Sequence, residues 1–120
     1  MDTLLVSAKM ELLRKLMRVN ACAVRCAMSL GDANTLCSAI NNMQKAVLLG
    51  CELGEAGEFA TPTDLSNFLK AEGDFAITNA YSKDDTIADQ DWIIANVGAI
   101  MGDRWRVNGV PGGADANDPA

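Results

Sequence analysis

The sequence predicts an all-α domain: a long-short antiparallel helical hairpin, then two shorter helices and a flexible C-terminal tail. Three observations carry this. Apolar residues from Leu5 to Leu30 recur without a break at spacings of three or four. Glycines stand where apolar stripes end, at positions 31, 50, 73 and 102, and capping residues precede the stripes, most clearly in the string Thr61-Pro62-Thr63-Asp64-Leu65.

The first helix is expected from residue 3 to 30, with Asp2 as its cap and Gly31 as its stop. Leu5, Ala8, Leu12, Leu16, Val19, Ala23, Cys26 and Leu30 form one stripe. Val6, Met10, Leu13, Met17, Ala21, Val24 and Met28 form a second, about 100 to 140 degrees around the same helix. Only a narrow back carrying Glu11, Arg14, Arg18 and Arg25 is polar, so this helix needs cover on two sides.

Asp32 or Asn34 caps a second helix ending near Leu49, with Gly50 as the stop and Ala33, Leu36, Ile40, Met43 and Val47 as its apolar face. Ser38, Asn41, Asn42 and Lys45 fall behind that face. The Gly31-Asp32 link is short enough to fold the two helices back on each other. Their lengths, about 42 Å and about 25 Å at ~1.5 Å per residue, leave the first half of helix one to other partners.

Residues 50–60, rich in Gly and Glu, read as a loop. Thr61 then caps a third helix with Pro62 in its first turn, ending at about residue 71 or 72 before Gly73. Residues 74–81 fit both a strand alternation and a helical side and are expected to be helical or irregular. Pairing Phe75 to Tyr81 with Arg104-Trp105-Arg106-Val107 gives the alternative, an α+β fold with a minor two-stranded ribbon. Asp85 caps a fourth helix from 86 to 101, with Ile87, Ile94, Val97 and Met101 on one side and Gly102 closing it. The division is thus one helical domain over 1–108 and a tail over 109–120 rich in Gly, Pro, Asp and Ala.

With 120 residues, 49% hydrophobic and 22% charged, the chain has a soluble globular balance and room for one modest core. It contains no histidine, which removes serine triads, Cys-His pairs and His-ligated zinc from what the chain can build by itself. Charge is uneven. Residues 1–50 hold six basic and three acidic groups, whereas residues 51–120 hold four and thirteen, so the halves should attract within a subunit or between subunits. Met1-Asp2 begins no secretory signal and no long apolar run is present; a soluble, intracellular protein with reduced cysteines is expected.

Cys22 and Cys26 are four apart on helix one, and the hairpin sets Cys26 nearly opposite Cys37, with Cys51 far along helix two. A metal or disulfide at Cys26 and Cys37 is conceivable, but the spacing lacks a compact Cys-x-x-Cys, and thiols packed in the core as small hydrophobes are the expectation. Glu52, Glu55 and Glu58, and Asp84, Asp85, Asp89 and Asp91, do not match an EF-hand loop. The aspartates of helix four suit the positive end of a helix dipole. No metal or cofactor is expected.

These features point to a non-enzymatic structural or adaptor subunit acting through protein-protein contacts in a larger assembly, for example a virion or other multi-subunit particle. The partners are further copies of the chain or other protein subunits. The expected interface is the N-terminal half of helix one, Val6, Met10, Leu13 and Met17, with the arginine back of Arg14, Arg18 and Arg25. The alternative is a small DNA-binding regulator, since residues 61–81 outline helix, glycine turn and helix. Asp74, Asp84 and Asp85 are the wrong charge for that role, so nucleic acid is not expected as a partner.

Overall fold

The computed structural model describes residues 3–102 and contains four helices: α1 (Thr3–Leu30), α2 (Ala33–Glu55), α3 (Pro62–Ala76) and α4 (Lys83–Met101). The fold is all-α, and the described residues contain no strand. Both tail and ribbon readings of 103–120 lie outside the described residues.

Helix α1 is the centre, packed against each of the other three. Side-chain pairs give the directions. Lys9 meets Glu52 and Asn20 meets Asn42, so α2 runs antiparallel to α1. Arg18 meets Glu72 and Arg25 meets the Ile77 carbonyl, so α3 runs alongside α1 in the same sense. Lys15 Nζ sits 4.7 Å from the Trp92 ring centre and Thr86 neighbours Cys22, which sets α4 antiparallel again.

The α1–α2 connection is the two residues Gly31 and Asp32. Gly31 takes φ 68°, a conformation that a side chain would strain, and the Asp32 N–H donates back to the Ala27 carbonyl at 2.9 Å to close α1. The Asp32 carboxylate then accepts from Thr35 N–H at 3.1 Å and Thr35 Oγ1 at 2.6 Å, opening α2. One residue therefore caps two helices.

Helix α2 does not stop at Gly50; it continues to Glu55. Gly50 lies beneath Leu65 of α3, where a Cβ would come within 2.5 Å of Leu65 Cδ1. The glycine thus admits α3 instead of ending α2, and the modest cost of glycine in a helix is offset by the contact. The stop comes at Gly57, φ 92°, where Glu58 N–H reaches Leu53 O at 2.9 Å and Gly57 N–H reaches Gly54 O at 3.0 Å, a Schellman closure.

The inward face of α2 also differs from expectation. Ala39, Asn42, Ala46, Leu49 and Leu53 are buried, while Ile40 and Val47 lie outside and Leu36 and Met43 sit half-buried between. The alanines let α1 approach closely. Asn42, placed behind the apolar face by periodicity, instead donates to Asn20 Oδ1 at 3.3 Å, and Asn20 donates to the Leu16 carbonyl at 2.9 Å.

Helix α3 passes through Gly73 to Ala76, because the glycine faces Met17 and Ala21 of α1 and the buried Ala76 anchors one further turn. Residues 74–76 thus finish a helix, and 77–82 are a turn where Thr78 Oγ1 donates to the Phe75 carbonyl. Helix α4 begins earlier than expected, at Lys83, because Ser82 Oγ rather than Asp85 accepts the capping bond, from Asp85 N–H at 3.0 Å. Its inner side is Ile93 and Val97; Ile87 and Ile94 face outward. From Trp92 onward α4 is uncharged all round, so hydrophobic spacing cannot select its buried side.

The core gathers Leu12, Leu13, Leu16, Met17 and Val19 of α1 with Ala46, Leu49 and Leu53 of α2, Leu65 of α3, and Ile93 and Val97 of α4. No helix among the described residues is long and apolar enough to cross a membrane.

Candidate interaction surface

The expected interface on α1 is mostly the chain's own interior. Leu13 and Met17 are buried, and Val6 and Met10 are half-buried against the core. This corrects the expectation of an open surface there: α2 runs past Gly50, and α3 and α4 flank the rest of α1, so both apolar stripes find partners within the subunit as far as Val24.

The arginine back is equally engaged. Arg18 Nε donates to Glu72 Oε1 at 2.6 Å while its guanidinium stacks 4.5 Å from the Phe75 ring centre. Arg14 pairs with Glu11 and lies 3.9 Å from Glu72, and Lys15 draws on the same Glu11 at 2.7 Å. The bond to Lys15, first among several influences, holds the Glu11 carboxyl below its ordinary range. Arg25 donates to the Ile77 carbonyl at 2.5 Å. Lys9, buried, donates to Glu52 at 2.7 Å. The bridges from Lys9, Arg14 and Arg18 join the basic and acidic halves within one chain. The segment 61–81, read above as helix, turn and helix, is one helix and its exit turn.

The open surface lies elsewhere. On the outer side of α2, Ala33, Cys37, Ile40, Gln44, Val47 and Cys51 are exposed, with Gly54 at the foot of the row. Their spacing alternates four and three, a 3.5-residue repeat that keeps to one slowly winding face of a helix, drifting about 20° per heptad. Ile40 and Val47 are 43% and 45% exposed, and Leu48 beside them is 67% exposed. The seam carries no charge; on the whole of α2 only Lys45, Glu52 and Glu55 are charged. At its foot Cys51, Gly54, Phe59, Ala60, Pro62 and Leu65 help line an open apolar cavity of about 330 Å³. At its head Met28 and Leu30 stand exposed on the hairpin tip.

The cysteines correct the core expectation as well. Cys26, Cys37 and Cys51 are exposed and Cys22 is half-buried, all four as free thiols. Three belong to segments that the other helices leave uncovered, the end of α1 and the outer side of α2. Among the described residues no three or more Cys, Asp or Glu side chains group to hold a metal ion, so neither acidic cluster gathers into such a site. The 3.5-residue spacing from Ala33 to Gly54 was the signal available in the sequence for this surface. No family model matches the chain, and neither a curated protein nor a solved structure matches it.

Proposed function

We propose that the chain is a non-enzymatic subunit that assembles through protein-protein contacts, and that its contact surface is the outer seam of α2 joined to a second copy of itself. The observation that carries this reading is the uncharged heptad-spaced row from Ala33 to Gly54 on a helix whose opposite face is already packed.

The occupant follows from self-complementarity. In an antiparallel pair about a two-fold axis at Gln44, Cys37 lies opposite Cys51 of the partner subunit and Ile40 opposite Leu48 of the partner subunit, with Val47 one position further along the seam. In the same register the exposed Met28 and Leu30 come level with residues 58–60 of the other copy, where the apolar cavity opens. A chain of net charge −6 meets its own copy most easily across a neutral face.

Sedimentation equilibrium at micromolar concentration tests this. A dimer is expected, converted to monomer by Ile40→Asp with Val47→Asp while the helical circular dichroism persists. A short bis-maleimide should link the dimer through Cys37 and Cys51 but not through the single variants Cys37→Ser or Cys51→Ser. A compact monomer at every concentration refutes the reading.

A further inference from the structure

At the opposite end of the bundle from the apolar cavity, the last third of α1 and the α3–α4 turn enclose an open cleft of about 420 Å³. Cys22, Arg25 and Cys26 line one wall, and Ile77, Thr78 and Tyr81 the other. We propose that Cys22 and Cys26 form a two-coordinate site for the soft monovalent cation Cu(I).

The spacing supplies the geometry. Residues four apart on a helix hold their Cβ atoms about 5 to 6 Å apart, so the Sγ atoms attached to them can turn to within reach of one ion at metal–sulfur bonds of roughly 2.3 Å. Both residues line the same cleft.

The donor set supplies the selectivity. Thiolates favour Cu(I) and zinc among common biological ions. A structural zinc site takes four ligands, and here the described residues group no more than two, in a chain without histidine. Two-coordinate Cu(I) is satisfied by the pair.

Charge closes the argument. Cu(I) displaces one proton from each thiol, and the resulting bis-thiolate complex carries one negative charge with no electron transferred. Arg25 is anchored beside it by its bond to the Ile77 carbonyl and supplies the compensating cation. Tyr81 Oη is committed to Asp89 at 2.7 Å, so it leaves the thiols to the ion. Cys26 is exposed and gives the ion a way in, while Leu30, Ala76 and Ile77 form an apolar surround. Burial raises the Cys22 thiol above its ordinary range, and Cys26 raises it further, so binding must displace a firmly held proton.

The test uses the full chain with Cu(I) kept reduced by ascorbate under nitrogen, in competition with a chromophoric Cu(I) chelator. The protein should withhold one equivalent, and Cys22→Ser and Cys26→Ser should each abolish it with the helical spectrum unchanged. The double variant Cys37→Ser/Cys51→Ser should still withhold one equivalent whether it sediments as monomer or dimer, which separates this site from the α2 seam. X-ray absorption should count two sulfur neighbours per copper. Retention in either Cys22→Ser or Cys26→Ser, loss in the Cys37→Ser/Cys51→Ser variant, or a third sulfur neighbour overturns the proposal.

Discussion

The two faces of α2 are built from similar residues and meet different surroundings. Inside, Ala39, Asn42, Ala46, Leu49, Gly50 and Leu53 are buried against α1 and α3; outside, Cys37, Ile40, Gln44, Val47, Leu48 and Cys51 are exposed. Small residues on the inner face bring α1 close, and the buried Asn20–Asn42 bond pins the register. The outer face has neither a neighbouring helix nor a charge, and its repeat of 3.5 suits a partner helix that winds gently around it. Hydropathy alone therefore says that α2 is sticky on both sides. Close approach, read from alanine and glycine positions, says which side the subunit uses for itself.

Adjacent leucines give the largest contrast. Leu49→Ala, at a site 1% exposed, should cost about 2 to 5 kcal/mol in urea unfolding. Leu48→Ala, 67% exposed, should stay within about 0.5 kcal/mol for the monomer. Equal losses would erase the distinction between the faces.

The paired glycines probe the same contrast with opposite signs. Gly50→Ala drives a Cβ into Leu65 and should destabilise the fold by about 1 to 3 kcal/mol. Gly54→Ala meets nothing within 4 Å and should stabilise it by about 0.5 to 1 kcal/mol through helix propensity. Thermal melts of the two variants should move in opposite directions.

Salt sharpens the outer-face reading. In the antiparallel pair Asp32 lies level with residue 56, between Glu55 and Glu58 of the partner subunit, so like charges meet at both ends. Raising NaCl from about 50 to 500 mM shortens the screening length severalfold and should tighten the dimer; an interface held by charge attraction would loosen.

The smallest effect is a pH dependence at the hairpin. The bond from the Thr35 hydroxyl, with that from its N–H, holds Asp32 below the ordinary aspartate range in the folded chain. Its contribution is thus complete above the unfolded-state pKa and is lost as pH falls through that value toward the lower folded one. Between about pH 5 and pH 2 the wild type should lose more stability than Asp32→Ala, as read by urea midpoints.

Much of this architecture is legible in the residues. Gly31 and Gly102 mark true helix ends because both take positive φ, and Thr61-Pro62 opens α3 as its chemistry requires. Gly50 and Gly73 look the same in a sequence yet sit inside helices, since glycine also serves where another helix comes near. The cover over Leu13 and Met17 was not legible, because it depends on how α3 and α4 lie across α1, a long-range matter that local spacing does not encode. Arg14, Arg18 and Arg25 share one side of α1 by helical spacing alone. Their partner Glu72 and the Ile77 carbonyl lie some fifty residues away and left no local mark.

The double duty of Asp32 has a consequence in time. It closes α1 and opens α2 across a two-residue turn, so the contacts of the hairpin can form before the chain has found α3 or α4. Asn20 and Asn42 are 22 residues apart, whereas Arg18 and Glu72 are 54 apart. Shorter loops cost less entropy to close, which makes the hairpin the natural nucleus and leaves α4 to dock late. Changes at Gly31 or Asp32 should therefore slow folding, while Ile93→Val in α4 should act mainly by speeding unfolding.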